Sequence, residues 1–186
     1  MNKVKIFEFI CINLFEWYNK SNNIKTIESF NNQNDFGKLK LLSLLTFISH
    51  KENDKLFEIF DNFHARPFGT FESDIRTLLN TNDIYEFKYF KISKYNSEFS
   101  EYDLDYFNDL DENIKDIVLN TIKDLVKTSY LVNLSVSQLS EILNKYKSHV
   151  VNYNARKDKN IFEIKISVDE MKTDEKFFLY NYFELI

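Results

Sequence analysis

The chain has 186 residues, of which 44% are hydrophobic and 17% are aromatic, and its formal net charge is −5. The apolar content excludes disorder as a description of the whole chain, and the length predicts one compact domain over residues 1–186. The negative charge argues against a dedicated DNA-binding protein, because contacts with phosphates need a basic surface.

The cysteine count and the most apolar segment indicate where the protein resides. Cys11 is the only cysteine and cannot form an internal disulfide, which is typical of a reducing cytoplasm. Residues 4–18 are strongly apolar, but Lys5, Glu8 and Glu16 interrupt them, and a signal-peptide core or a spanning helix rarely tolerates such charges. We therefore expect no membrane association and a cytoplasmic location, which is the host cytoplasm if a phage encodes the protein.

The first half of the chain contains two apolar helix patterns. Apolar side chains recur at helical spacing over residues 3–19, and a polar loop with room for a short helical turn follows over 21–35. After Gly37, residues 38–50 are apolar around nearly the whole helix, which predicts a buried central helix. A short segment at 56–60 then leads to the only proline in the chain.

This proline, Pro67, and one of the two glycines, Gly69, predict an ordered turn over residues 65–70. Proline fixes φ and glycine opens positive φ, so a chain poor in both uses them where the backbone geometry demands it. Thr70 is then the expected N-cap of a helix over 71–79. The solvent-facing members of four side chains at this corner are our first candidates for partner contact. These four are His64, Arg66, Phe68 and Phe71.

Two segments of the second half show the alternation of a β-strand. Aromatic and charged side chains alternate over residues 84–92, and apolar and charged side chains alternate over 162–166. Between them, residues 98–112 are acidic with interleaved aromatic side chains, and residues 154–160 are predicted to form a polar, basic loop. These patterns predict a small β-hairpin or a two-stranded sheet.

Three further helices are predicted in the second half. Apolar side chains form a helical stripe over residues 111–127, and capping-box pairs open helices after Ser135 and Ser167. The last of these helices is expected to run to about Tyr182. The predicted fold class is therefore mostly α, a single compact helical domain that carries the small β element.

Three segments of the chain carry a family resemblance. Residues 38–50 form a Lys- and Leu-rich core helix, residues 63–75 form the Pro67 corner that enters a helix, and residues 134–153 form a late helix after a capped turn. In this order they resemble the Panacea domain, also called the SocA-like antitoxin domain, over most of the chain. Family members carry a Tyr-Gly-Pro-Val-type turn, so glycine and proline stand here in the reverse order, and Tyr153 replaces a common tryptophan.

The resemblance implies a function in protein binding. Members of the family act as antitoxins that bind and suppress a partner toxin, or as protein adaptors, and many are carried by phages. The resemblance thus implies a non-enzymatic antitoxin-type protein that neutralises a toxic or defence effector by direct association. If the corner contacts that effector, Arg66→Ala is expected to weaken the complex and to leave the melting temperature nearly unchanged.

The acidic segment offers a surface for a basic partner. Asp103, Asp105 and Asp109 are candidate partner contacts, because spaced carboxylates with aromatic side chains can imitate nucleic-acid phosphates in a basic groove. On this interpretation the alternative function is a phage-encoded, anti-CRISPR-like inhibitor of a bacterial nuclease. The competing interpretation is a solvated loop whose aromatic side chains pack on the core.

A basic segment supports a further alternative, an RNA- or DNA-binding regulator. Lys145, Arg156, Lys157 and Lys159 lie near aromatic side chains in the sequence and could contact RNA through charge and stacking. A solvated helix end and loop is the simpler interpretation of the same charges. Nucleic acid is therefore the less favoured partner.

The enzymatic signals are weak. The spacing Glu-x-Lys begins at Glu86 and again at Glu163, and it suits a metal-dependent nuclease because alternate strand residues face the same side. Alternating charges on the solvent face of a strand are ordinary, however, and the nuclease fold needs a larger sheet. The three histidines and Cys11 lack metal-ligand spacing. We therefore expect no catalytic residue, no metal and no cofactor.

Overall fold

The computed structural model describes residues 2–52 and 54–176 of the chain. The α-helices are α1 (Lys3–Ser21), α2 (Ile27–Gln33), α3 (Lys38–Glu52), α4 (Lys55–Ile59), α5 (Ser73–Leu79), α6 (Glu112–Thr128), α7 (Val136–Leu143), α8 (Lys147–Asp158) and α9 (Val168–Lys172). Short 3₁₀ turns cover Leu104–Phe107 and Leu131–Asn133. The strands are β1 (Phe63–Arg66), β2 (Gly69–Glu72), β3 (Tyr85–Glu86), β4 (Phe90–Ile92), β5 (Ser97–Phe99) and β6 (Ile164–Lys165).

The strands form two antiparallel sheets of three strands each. Sheet A has the strand order β2-β1-β6, and sheet B has the order β3-β4-β5. The fold is therefore mixed α and β, and the prediction of a mostly α domain with one hairpin or a two-stranded sheet is wrong. The physical reason lies in the strands themselves, which span only two to four residues and give little room for a repeating pattern.

Helix α3 is the centre of the core. All of its side chains from Leu41 to His50 are buried, as expected for a helix that is apolar on nearly every face. It packs against α1, α4, α5, α6, α7 and strand β2. The buried apolar side chains of these elements form one continuous core.

Stacked phenylalanine rings attach sheet B to α1. The rings of Phe99 and Phe15 are stacked with their centroids 4.5 Å apart, and Phe99 also stacks on Phe90 at 4.7 Å. The predicted strand over 84–92 is divided in two, because Phe87 N–H donates to the carbonyl of Phe90 at 2.8 Å and the chain turns back there.

Two asparagine side chains, one in α2 and one just after its end, bind the outer edge of sheet B. Asn31 accepts from the N–H of Phe99 at 2.8 Å and donates to its carbonyl at 2.9 Å. Asn34 makes the same pair of bonds with the N–H and carbonyl of Ser97, at 3.0 and 2.9 Å. The two amides therefore pair with β5 as the backbone of a fourth strand would.

Several helix predictions are confirmed. The capping boxes at Ser135 and Ser167 open α7 and α9, and the predicted helices over 3–19, 38–50 and 111–127 agree with α1, α3 and α6 to within the usual uncertainty at helix ends.

Two helix boundaries were predicted wrongly. Glu72 rather than Thr70 caps α5, because Thr70 belongs to strand β2 and the Glu72 carboxylate accepts from Ile75 N–H at 2.7 Å. The predicted loop over 154–160 is helical as far as Asp158. Helix α9 ends at Lys172, and the end of its predicted run, at Tyr182, lies outside the described residues. Among the residues described, every helix is too short or too polar to cross a bilayer.

Candidate protein-binding site

The Pro67 corner is the tip of a β-hairpin. Strands β1 and β2 pair from Phe63↔Glu72 to Arg66↔Gly69, which leaves only Pro67 and Phe68 in the loop. Gly69 has φ +125°, a conformation that L side chains rarely adopt, and a Cβ there would lie 3.0 Å from a Leu143 side-chain carbon. The ordered turn was therefore predicted correctly, but it joins two strands and does not lead directly into a helix.

Helix α7 holds the tip of this hairpin in place. Ser140 Oγ donates a hydrogen bond to the backbone carbonyl of Phe68 at 2.8 Å. Because that carbonyl is anchored and Gly69 lies against Leu143, the backbone of the tip is fixed while its outermost side chain is left free. Phe68 is 62% exposed, although phenylalanine is usually buried.

A second exposed phenylalanine lies beside the tip. Strand β6 pairs with β1 through His64↔Lys165 and Ala65↔Ile164, and Phe162, two residues before β6, has its ring centroid 5.7 Å from the guanidinium of Arg66, the last residue of β1. Phe162 is 64% exposed, and the neighbouring Ile161 is also exposed. Together with Val150 of α8, these side chains define a surface that we name the hairpin face. Its members are Pro67, Phe68, Val150, Ile161 and Phe162.

A groove of about 310 Å³ opens in the hairpin face. It is lined by Pro67, Asn144, His149, Val150, Tyr153 and Asn154. The rings of His149 and Tyr153 are stacked with centroids 5.4 Å apart, and the Arg156 guanidinium lies 4.5 Å from the centroid of Tyr153. One wall of the groove is thus a stack of flat groups, while two amide side chains supply hydrogen-bonding groups.

Buried polar contacts lie beneath the groove. His149 Nδ1 is 3.1 Å from Thr70 Oγ1, and Thr46 Oγ1 donates to the Thr70 carbonyl at 2.9 Å, so α8, β2 and α3 are linked in series. Burial, together with the charge of Arg156, lowers the pKa of His149 to about 4. His149 is therefore neutral at physiological pH, and the groove offers no imidazolium to an acidic ligand.

A second buried polar group, Asp174, lies just after α9 and contacts the start of α8. The Asp174 carboxylate accepts from the N–H of Ser148 at 2.9 Å and from its hydroxyl, and it lies 3.5 Å from Nε2 of His50. The His50 ring stacks on Tyr146 at 4.5 Å. These contacts fix the start of α8 relative to the central helix.

The four corner candidates divide by burial. Phe68 faces solvent, whereas Phe71 is buried in the core. His64 is half-buried, with Nε2 3.1 Å from Asn62 Oδ1 and Nδ1 3.3 Å from Glu163 Oε1. Phe68 is therefore the candidate that remains available for contact, with His64 at its margin.

Arg66 is buried and serves the sheet. Its guanidinium forms an ion pair with Glu163, lies 5.7 Å from the ring centroid of Phe162, and is 3.4 Å from Ser73 Oγ. Burial and the nearby charge of Arg76 lower the pKa of Arg66 to about 10, so it is still charged at neutral pH. The ion pair joins β1 to the residue just before β6, which orients Phe162 on the hairpin face.

The acidic candidates lie on the surface, and each carboxylate has a local partner. Asp103 accepts from the N–H of Asp105 at 2.9 Å, and Asp105 accepts from the Asn108 amide at 3.2 Å. Asp109 forms an ion pair with Lys5, and the hydrogen bond from Lys5 lowers the pKa of Asp109. The carboxylates are thus exposed, whereas the aromatic side chains between them pack on the core, as the competing interpretation predicted; these are Phe99, Tyr102, Tyr106 and Phe107.

The basic candidates lie at the two ends of α8. Lys145 is exposed in the turn before α8, and Lys159 is exposed at its C-terminal end. The Lys157 ammonium lies 4.7 Å from the ring centroid of Tyr153. Arg156 donates to the carbonyls of Ile161 and Phe162 at 3.1 and 3.0 Å, so it braces the hairpin face from behind.

The residues of the nuclease hypothesis are placed apart and paired with other groups. Glu86 forms an ion pair with Lys91 at 2.8 Å, and the ammonium of Lys88 lies 4.1 Å from the ring centroid of Tyr106. Glu163 contacts His64 and Arg66, as described above.

A different carboxylate cluster is formed by Asp61, Glu72 and Asp74. The ammonium of Lys3 lies between them, 3.1, 2.9 and 2.6 Å from their oxygens. Burial alone would lower the pKa of Lys3, but hydrogen bonds to Asp74 and Glu72 raise it well above its usual value. A lysine ammonium therefore already occupies the position that a metal ion would take.

Sequence reasoning missed the part of the site that α8 and residues 161–162 supply. Val150 and Phe162 were interpreted only as members of a helix and a strand, because nothing local distinguishes an exposed apolar side chain from a buried one. The pairing of β6 with β1 brings Phe162 beside Arg66, and the packing of α8 against both strands brings Val150 to the groove that Pro67 lines. Comparisons of the chain with models of protein families, with curated protein sequences and with solved structures gave no match.

Proposed function

We propose that this chain is a non-enzymatic binding protein of the antitoxin type, which neutralises a toxic or defence effector by direct association through the hairpin face. The observation that carries the proposal is the pair of exposed phenylalanines, Phe68 in the hairpin loop and Phe162 beside Arg66, near the groove that Pro67 lines. Exposed aromatic side chains gathered around a concavity are typical of the centre of a protein interface.

The rigidity of the hairpin face supports the same function. Three sets of contacts fix the backbone that carries its exposed apolar side chains. They are the hydrogen bond from Ser140 to the Phe68 carbonyl, the ion pair of Arg66 with Glu163, and the two hydrogen bonds from Arg156 to backbone carbonyls. A binding surface that is ordered before association loses less conformational entropy when the partner binds.

The environment of the reactive side chains also favours binding over catalysis. Cys11 is fully buried, and burial together with the charge of Glu8 raises the pKa of its thiol. His50 and Ser148 are buried in contact with Asp174, away from solvent. Cys11, His50 and Ser148 are therefore not accessible to a substrate.

The effector itself has two candidate classes. A toxin is the first, in keeping with the resemblance to antitoxin domains. A bacterial defence nuclease is the second, because the exposed carboxylates of Asp103 and Asp105 could oppose a basic nucleic-acid groove. On that reading the chain is a phage-encoded, anti-CRISPR-like inhibitor.

The experiment co-expresses the chain with the product of the gene beside its own and measures complex formation by size-exclusion chromatography and calorimetry. We expect a stable complex in which Phe68→Ser with Phe162→Ser weakens affinity by about 100-fold, as loss of two hot-spot side chains does. Tyr95→Ser, which removes an equally exposed aromatic from the loop between β4 and β5, serves as the matched control and leaves affinity unchanged.

Two results would count against the proposal. One is unchanged affinity in the double variant, which would place the interface elsewhere. The other is recovery of the chain alone from its native host at natural abundance. Both variants replace exposed side chains, so their melting temperatures are expected to stay close to that of the wild type.

A further inference from the structure

A second surface lies between α1 and α6. A groove of about 340 Å³ runs there and is lined by Asn13, Glu16, Trp17, Lys20, Leu119, Ile122, Lys123 and Val126. None of these residues belongs to the hairpin face. The groove is therefore a separate feature of the molecule.

The residues that line each wall of the groove recur at helical spacing. On α1 the lining residues stand at i, i+3, i+4 and i+7, from Asn13 to Lys20. On α6 they repeat the same spacing, from Leu119 to Val126. Two facing rows of this spacing form a groove about two turns long, which matches the apolar stripe of one further helix.

The floor and rim of the groove are apolar where a helix would rest. Trp17 is 4% exposed and forms part of the floor, while Leu119 and Val126 are 43% and 37% exposed on the rim. Helix α6 buries a different stripe, centred on Val118 and Leu125, in the core. It therefore carries apolar side chains on a face that the core does not use.

We propose that this groove binds an amphipathic helix of a partner protein, with acidic residues on both sides of the helix's apolar stripe. Lys20 and Lys123 line the groove with exposed ammonium groups, and within the described part of the chain neither forms an ion pair. Other lysines of α6 are already paired, Lys115 with Glu112 and Lys127 with Asp124. Glu16 is bonded to the Tyr102 hydroxyl.

A second copy of the chain is the wrong occupant on grounds of charge. A symmetric dimer through this groove would set the surface against itself, and its lining carries two lysines, Lys20 and Lys123, against one glutamate, Glu16, so positive charge is in excess on both sides. Like charges that face each other across an interface oppose association. A helix that supplies carboxylates satisfies the same lysines.

The test uses the fact that Trp17 is the only tryptophan in the chain. The probe is a synthetic, helix-stabilised peptide of about 15 residues without tryptophan, with leucine at i, i+3 and i+7 and glutamate on both flanks. We expect a saturable change in Trp17 emission. A matched peptide with lysine in place of glutamate should bind at least about 10-fold more weakly at low salt.

Variants of the chain separate this site from the hairpin face. Lys123→Glu, which changes only an exposed side chain, should reverse the preference between the two peptides. Leu119→Ser should weaken binding about 10-fold, whereas Val150→Ser on the hairpin face should leave it unchanged. Because the probe is not the effector, this experiment can fail while the proposed function stands, and the reverse also holds.

The inference would be overturned by any of three results. These are an absence of saturable change in Trp17 emission with the acidic peptide, equal affinity for the acidic and basic peptides, and equal effects of Leu119→Ser and Val150→Ser.

Discussion

Sheet B and the hairpin tip of sheet A use their aromatic side chains in opposite ways. In sheet B, Phe99 turns inward and stacks on Phe90 and on Phe15 of α1. The strands of sheet A also bury phenylalanines, Phe63 and Phe71, but Phe68 in the hairpin loop and Phe162 just before β6 are exposed, and the contacts beneath them are polar. The same residue type therefore stabilises the fold within the strands and forms exposed surface beside the hairpin tip.

The difference shows that aromatic content alone does not identify a binding surface. What separates the two regions is the kind of contact that lies behind each of them. Sheet B lies on apolar side chains of α1 and α2, whereas the outer end of sheet A is braced by hydrogen bonds and an ion pair. Polar bracing can hold backbone in place without covering the apolar side chains that it supports.

The largest expected effect comes from exchanging one phenylalanine in each region for alanine, Phe99 in sheet B and Phe68 at the hairpin tip. Phe99→Ala should lower the free energy of unfolding by about 3–5 kcal/mol, because it empties a buried ring site between two stacked partners. Phe68→Ala should change it by less than about 0.5 kcal/mol, because the ring is exposed. Urea unfolding measures both. Similar losses in the two variants would remove the contrast between sheet B and the hairpin tip.

A smaller loss of stability is expected as the pH falls, and it comes from His149, which contacts Thr70 of sheet A. His149 has an unfolded-state pKa of 6.5 and a folded-state pKa of about 4. Between these values the unfolded chain binds a proton that the folded protein does not, so stability is complete above pH 6.5 and decreases as the pH falls towards 4. The loss from this group is up to about 3 kcal/mol.

The matched variant for this pH dependence is His149→Gln, which cannot titrate but retains a polar side chain of similar reach. Unfolding free energies measured from pH 7 to pH 4 should fall more steeply in the wild type than in the variant. Parallel curves would mean that the support of β2 by His149 does not depend on its protonation.

The smallest of the three effects concerns the ion pair of sheet A. Arg66→Ala leaves the Glu163 carboxylate without its buried partner, and we expect a loss of about 2 kcal/mol and a lower melting temperature. This replaces the expectation of an unchanged midpoint, which assumed a solvent-facing arginine. A double-mutant cycle with Glu163→Ala isolates the pair, and a coupling energy near zero would show that the two charges act independently.

The long helices could be predicted from the sequence because their apolar repeats extend over several turns. Helix α3 is apolar on all faces, and α6 carries one clear stripe, so each pattern is repeated enough times to be recognised. Sheet A could not be predicted in the same way. Strand β2 is buried at all four positions and shows no alternation, and its sheet is completed by β6 from far along the chain.

The candidate site was predictable only in part, for the same reason. Pro67 and Gly69 identified an ordered turn, because their backbone preferences are local properties. The burial of Arg66 and the exposure of Phe162 depend on the pairing of β1 with β6, which is a tertiary property. Residue type alone would have predicted an exposed Arg66 and a buried Phe162, the opposite of what the structure shows.

The asparagine pair that binds β5 has a consequence for how the protein behaves at high concentration. An outer strand with free N–H and carbonyl groups is a template on which another chain can add a strand, and this is a common first step in aggregation. Asn31 and Asn34 occupy the groups of Phe99 and Ser97 that such a strand would need. In a chain so rich in phenylalanine, two amide side chains thus keep the aromatic sheet from growing across molecules.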